Sequence, residues 1–139
     1  LFRSVAQIFE SEHVVDFNLT TPSSSIIIDG DSTQLIRVFN NLFANSIQAV
    51  DFGKKAIISI DFEQQVGTII IRIKDNGNGI PDEQLDTIFE PYFTTKSTGT
   101  GLGLALVKQL ISGHQGTITV ETTSESGTTF MLVFPTNQA

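Results

Sequence analysis

Several clusters in this chain combine residue types and spacings that could do chemistry. Gln34, Arg37, Asn41, Asn45 and Gln48 recur at i, i+3, i+7, i+11 and i+14, so a helix would carry them in one polar stripe. A plain solvent face accounts for such a stripe, but solvent faces are usually built from Glu and Lys. Asn40, Asn41 and Asn45 each cost about half a kcal/mol of helix propensity relative to Ala. An amide oxygen can ligate a hard cation such as Mg²⁺ without adding negative charge beside a phosphate. A second cluster, Asp75-Asn76-Gly77-Asn78-Gly79-Ile80, follows an alternating segment. It reads either as a tight turn or as a place where backbone approaches a flat ligand and the carboxylate accepts from a purine amino group. In the third, Thr98-Gly99-Thr100-Gly101-Leu102-Gly103-Leu104, glycines open a helix, where free N–H groups can cradle phosphate, and Lys96 adds a positive charge. The spacing is neither a P-loop nor the dinucleotide fingerprint, although Glu121 stands where a ribose-binding acid would and keeps that alternative open. The fourth, Gly127-Thr128-Thr129-Phe130, reads as a turn entering a strand.

Elements that could hold these clusters follow from periodicity. Phe2, Val5, Ile8 and Phe9 suggest a short helix over residues 1–12. Residues 13–19 and 25–29 read as strands around a turn. A long helix spans 31–50, with Asp31 as cap, Gln34 completing a capping box, and an apolar stripe of Ile36, Phe39, Phe43, Ile47 and Val50 widened by Leu35 and Leu42. Strands are expected over 55–63 and 66–74 around Gln64-Gln65, a short helix near Asp82, a loop over 89–103, and a helix over 102–112 ending near Gly113. Strands over 117–122 and 128–134 close the chain. Successive hairpins with few crossovers imply an α/β two-layer sandwich: a mixed, mostly antiparallel sheet covered on one face by about three helices.

Composition bounds the function. The chain has 139 residues, 40% of them hydrophobic and 17% charged, which suits one folded domain. With 0 Cys it has no disulfide, thiolate metal site or thiol nucleophile. Asp+Glu 15 against Lys+Arg 8 gives a net charge of −7, which argues against duplex nucleic acid and anionic membrane surfaces as partners. No apolar run approaches the roughly 20 residues that span a bilayer. The start lacks a cleavable leader and an initiator Met, and reads as part of a longer chain.

In order along the chain stand Asn41-Leu42-Phe43-Ala44-Asn45, DNGNGIP, FEPYFTTK, GTGLGL and GTTF. This succession resembles the N, G1, F, G2 and G3 boxes of the catalytic ATP-binding domain of sensor histidine kinases. That domain shares a wider family with gyrase B, the Hsp90 chaperone and MutL. The resemblance covers residues 13–135, and the phrasing FEPYFTTK and GTGLGLAL is most similar to nitrogen-regulation-type kinases. It implies the Bergerat ATP-binding fold over residues 13–139, with 1–12 as the end of a dimerisation-domain helix.

The resemblance also implies roles for residues. Asn45 would coordinate Mg²⁺ on the ATP phosphates. Asn41 stands where gyrase-like members place a catalytic Glu, so the chain would transfer phosphate rather than hydrolyse ATP quickly. Asp75 would bind the adenine amino group, with Gly77, Gly79 and Ile80 around the base, and Thr128 would support Asp75. Gly99, Thr100, Gly101, Leu102 and Gly103 would hold phosphates. Phe89 and Phe93 would anchor a lid. Arg37 and Lys96 would contact phosphate, Lys96 close to the chemistry with Asn41 and Asn45. Gln48 replaces a Lys common in the family's N box. The implied cofactors are ATP and Mg²⁺. The implied partners are the parent's own dimerisation and phosphotransfer domain, in a homodimer, and a downstream response regulator, with no nucleic acid and no direct membrane contact. The implied location is cytoplasmic, even under a membrane-anchored parent. Of the 2 His, neither His13 nor His114 has the setting of a phosphoacceptor, and His114 lies in a corner similar to the family's H-x-G. Two alternatives stay open: an ATPase-gated clamp, and a regulatory module that binds nucleotide without transferring phosphate.

Overall fold

A computed structural model describes residues 15–20, 28–51, 53–91 and 103–136. The expected helix over 1–12 lies outside them, as do residues 21–27, Phe52, 92–102 and 137–139. The alternating segments form a five-stranded sheet in the order β1-β2-β3-β5-β4. Its strands are β1 (Val15–Leu19), β2 (Ala56–Gln65), β3 (Thr68–Asp75), β4 (Thr117–Ser124) and β5 (Gly127–Pro135). Only β1 and β2 run parallel; the other neighbours are antiparallel. A parallel pair needs a crossover, and helix α1 (Ser32–Gln48) supplies it. Ile28 and Asp29, expected in a strand, are irregular.

Helix α1 begins at the anticipated cap but without the expected capping box, since the Asp31 N–H donates to His114 Nε2 at 3.0 Å rather than to Gln34. Asp31 has extended backbone, and its carboxylate accepts from the N–H groups of Thr33 and Gln34 at 2.9 and 3.3 Å. Its buried face is rotated from the expected stripe: Leu35, Val38, Phe39, Leu42, Phe43 and Ser46 point inward, while Ile36 is 36% exposed. The second helix, α2 (Gly103–Gly113), stops in a Schellman turn. Gly116 N–H donates to Ile111 O and Gln115 N–H to Ser112 O, so Gln115 (φ 62), not Gly113, takes the left-handed position. Near Asp82 there is only a 3₁₀ turn, Asp82–Gln84. The described residues thus hold two α-helices where about three helices were expected. No helix among them is long and apolar enough to cross a membrane.

Period-two alternation puts Ile58, Ile60, Ile71, Ile73, Phe130, Leu132 and Phe134 on one face of the sheet, all buried. Helix α1 packs on β2 and β3, α2 on β4, and the helices on each other. Phe43 meets Phe17 of β1 edge-on at 5.0 Å, joining the crossover helix to the edge strand. The β2–β3 turn falls at Val66-Gly67 rather than Gln64-Gln65, because Gly67 can take its φ of 77° where a side chain resists it.

The opposite face carries an ion cluster. Arg72 Nη1 lies 2.8 Å from Glu63 Oε1, and its Nε lies 2.9 and 3.0 Å from the two oxygens of Glu121, which stands at a bulge between Val120 and Thr122. The hydrogen bond from Arg72, with a smaller one from Gln65, holds the Glu63 carboxyl below its ordinary value of 4.5. A depressed folded-state value means the pair contributes above pH 4.5 and fades as pH falls through the folded value. The pair is solvent-exposed, so the effect is small and weakened by salt. Wild type is expected to exceed Glu63→Gln in urea midpoint at neutral pH, with the gap closing below pH 4.5. A gap independent of pH refutes this assignment.

Candidate functional site

Alternation through Ile71-Arg72-Ile73-Lys74-Asp75 brings the last side chain of β3 to the core side, beneath the helices. Asp75 is accordingly 3% exposed. A buried carboxylate must be hydrogen-bonded. Its Oδ1 accepts from Gly77 N–H at 2.9 Å and from Thr128 N–H at 3.2 Å. Thr128 therefore supports Asp75 as expected, but through its backbone. Its hydroxyl instead pairs with Thr123 at 2.9 Å, and Thr123 Oγ1 accepts from Ile80 N–H at 2.8 Å. This chain of bonds ties the loop after β3 to the β4–β5 hairpin.

Protein atoms pack closely against both loop glycines on the side a Cβ would occupy. A Cβ on Gly77 would lie 2.7 Å from Ala49 O and 2.5 Å from Ala49 Cβ. Gly79 has φ 83°, and a Cβ there would collide with the Ser124 carbonyl. Gly79→Ala is expected to lower stability by at least about 1–2 kcal/mol, the cost of a left-handed non-glycine residue, read as a reduced urea midpoint; an unchanged midpoint counts against this packing account. Asn76 extends the β2–β3 ladder through its amide, which accepts from Ile57 N–H at 2.8 Å and donates to Lys55 O at 3.0 Å. Asn78 caps α1, its N–H donating to Ala49 O and its Nδ2 to Asp51 Oδ1.

On α1, Asn41 and Asn45 are half-buried while Arg37 is exposed. Asn41 Nδ2 donates to Arg37 O at 2.9 Å, and a Cβ placed on Gly103 would sit 3.5 Å from Asn41 Oδ1. The amide thus faces Gly103, the first residue of α2. Beside Asn45, the Ser46 hydroxyl is buried and has no hydrogen-bond partner among the described residues. Phe89 is half-buried, edge-on to Phe130 at 6.2 Å, with Lys108 of α2 stacked 5.3 Å from its ring centre. Phe93, Lys96, Gly99, Thr100, Gly101 and Leu102 lie outside the described residues.

Residues 30–138 match the family described as histidine kinase-, DNA gyrase B-, and HSP90-like ATPase. This chain belongs to that family. It is 44% identical over 110 residues to the sensor histidine kinase ZraS of Escherichia coli, covering 79% of this chain and 23% of ZraS. Sporulation kinase A of Bacillus subtilis is 41% identical over 111 residues, covering 80% of this chain and 18% of that kinase. The chain thus spans about a quarter or less of the length of these relatives. Among solved structures, the nucleotide-free catalytic domain of histidine kinase ThkA superposes with a TM-score of 0.83 at 33% identity, covering 96% of this chain and 88% of that one. Histidine kinase ThkA in complex with response regulator protein TrrA also matches, with a TM-score of 0.79 at 29% identity, covering 96% of this chain and 39% of that one.

Within this ATPase family's fold the dinucleotide alternative fails. Glu121 is bound to Arg72 on the sheet face away from the helices, and β4 pairs antiparallel with β5. Sequence reasoning missed Thr123, Asn76 and Ala49. Thr123 was within reach, because a two-residue turn at Glu125-Ser126 pairs it with Thr128 across the hairpin. Asn76 and Ala49 gave no local signal, since their partners lie on other elements.

Proposed function

We propose that this chain binds Mg²⁺–ATP and donates the γ-phosphoryl group to a histidine on a separate helical dimerisation domain of a two-component sensor kinase. The buried Asp75 carboxylate carries this reading. It is a fixed acceptor at the end of a core strand, held by two N–H groups and suited to an adenine amino group. Ile80 and Thr128 would flank the base, and Phe89, with Phe93, would anchor the lid. Gly103 and the preceding Gly99, Thr100, Gly101 and Leu102 would offer N–H groups to phosphates at the start of α2. Arg37 and Lys96 would add positive charge, which is how an acidic chain can hold a polyanion locally.

Asn41 and Asn45 set the chemistry. The Asn41 amide has no basic lone pair at neutral pH, so it cannot activate water, and this favours transfer over hydrolysis. The donor set suits Mg²⁺. No three His, Cys, Asp or Glu among the described residues form a cage, and one amide oxygen from Asn45 plus phosphate and water is a set that Mg²⁺ accepts. When bound, the ion would neutralise charge on the phosphates. The γ-phosphorus bond to the bridging oxygen breaks as a bond to the acceptor imidazole nitrogen forms, leaving ADP. Positioning supplies most of the rate in such transfers, so donor and acceptor can sit on different domains.

A response regulator downstream is supported by the ThkA–TrrA complex. A homodimeric, cytoplasmic placement and the nitrogen-regulation-type subgroup belong to the same reading, the latter resting on the wording of the F and G2 boxes. The test is titration calorimetry with ATP, with and without Mg²⁺, followed by labelled ATP with an added helical domain carrying the acceptor histidine. A labelled partner supports transfer. No binding at millimolar ATP, or steady turnover by this chain alone, overturns it.

A further inference from the structure

His114 follows α2 in the Ser112-Gly113-His114-Gln115-Gly116 corner and has no part in the chemistry proposed above. Its Nδ1 lies 2.8 Å from the Leu110 carbonyl oxygen, and its Nε2 lies 3.0 Å from the backbone nitrogen of Asp31. A carbonyl only accepts and a backbone N–H only donates. The two contacts therefore select the neutral tautomer with the proton on Nδ1 and the lone pair on Nε2. Asp31 is the N-cap of α1, and a capping box normally secures the cap's own N–H through the side chain three residues later. Gln34 stands at that position, yet His114 takes the bond from 83 residues away. The Schellman turn over Ile111–Gly116 holds the His114 backbone, and Gly30 leaves room for the ring: a Cβ there would lie 2.7 Å from His114 Cδ2 and 3.1 Å from Nε2.

These contacts join the start of α1 to the end of α2, whereas Asn41 and Gly103 bring the middle of α1 to the start of α2. The helices therefore run antiparallel. From Asp31 to Asn41 and from Gly103 to His114 are nearly equal steps, about 15 Å each at helical rise. Helices are stiff over that length, so sliding α2 along α1 at His114 would slide Gly103 past Asn41 by a similar amount.

We propose that His114 is a positioning residue: a pin, with Gly30 as its socket, that sets the register of α2 against α1 and so the placement of Gly103 beside Asn41. This rests on the reading that nucleotide phosphates lie beside those two residues. The test compares the whole chain with His114→Leu, which fills the ring's place without an acceptor, His114→Gln, whose Oε1 can still accept from Asp31 N–H, Gly30→Ala, and the double variant Gly30→Ala with His114→Leu. Mg²⁺–ATP affinity is measured by calorimetry, folding by urea midpoint, and the wild-type tautomer by ¹⁵N–¹H correlation spectra.

The spectra should show Nδ1–H with an unprotonated Nε2. His114→Leu and Gly30→Ala should each lose about tenfold in affinity, the scale of one neutral hydrogen bond. His114→Gln should recover most of it, and the double variant should be no weaker than His114→Leu alone, because the Asp31–His114 bond that the methyl group added at Gly30 disrupts is already lost. A merely structural role lowers the urea midpoint and leaves the affinity of the folded protein unchanged, which overturns the proposal, as does the opposite tautomer. If His114→Leu does not fold, Gly30→Ala carries the comparison, and wild-type affinity there is equally fatal. A wild-type chain that binds no ATP overturns the nucleotide reading and this one together. Wild-type binding with unaffected variants overturns only this one.

Discussion

Asp75→Asn should weaken ATP binding by about a hundredfold while leaving the fold intact. The substitution is nearly isosteric, and the amide oxygen can still accept from Gly77 and Thr128, so the loop and the hairpin keep their tie. What changes is the remainder of the group: a charged acceptor becomes an NH₂ donor. A hydrogen bond to a charged group is worth about 1.5–3 kcal/mol, and a donor facing the adenine amino group adds an unmet polar pair. At about 1.4 kcal/mol per decade, the sum approaches two orders of magnitude. Calorimetry with ATP measures it, with the urea midpoint as control for folding. Inosine triphosphate sharpens the test, since it carries a carbonyl where adenine carries the amino group. The variant should prefer it relative to ATP, and wild type should not. A folded Asp75→Asn protein with wild-type ATP affinity removes the adenine role altogether.

Asn45→Ala should do the reverse of a structural mutation. Ala is the better helix former by about half a kcal/mol, so the urea midpoint should hold or rise slightly. Nucleotide affinity in the presence of Mg²⁺ should nevertheless fall by about ten- to a hundredfold, the scale on which disturbed metal sites lose affinity. Affinity in EDTA should not change, because Asn45 is assigned to the ion rather than to the base. An equal loss with and without Mg²⁺ refutes the metal assignment. On the proposed function, the asparagine inside α1 is the same trade: local propensity yields where a site needs a neutral oxygen donor.

Much of this was legible because short-range physics decided it. The Asp31 cap needs only a side chain two and three residues from the N–H groups it serves. The burial of Asp75 follows from counting twos along β3 from Ile71. The mixed sheet follows from hairpins around a single crossover helix. Illegible features required a second element. The rotation of α1, which exposes Ile36 and buries Ser46, is set by packing on β2, β3 and α2, because two overlapping apolar stripes were available and only the sheet could choose. Glu121 resembled a ribose acid until β3 placed Arg72 beside it.

By itself the sequence determined which residues could do chemistry, in what order they come, and on which side of each strand or helix they can lie. Those are consequences of residue type and of periods of 2 and about 3.6. The tertiary structure decided who holds them. Thr128 serves Asp75 with a backbone N–H rather than a hydroxyl. Gly77 and Gly79 make room for Ala49 and Ser124. His114 caps a helix 83 residues upstream. These contacts join residues distant in sequence, and periodicity is silent about which distant surfaces will meet.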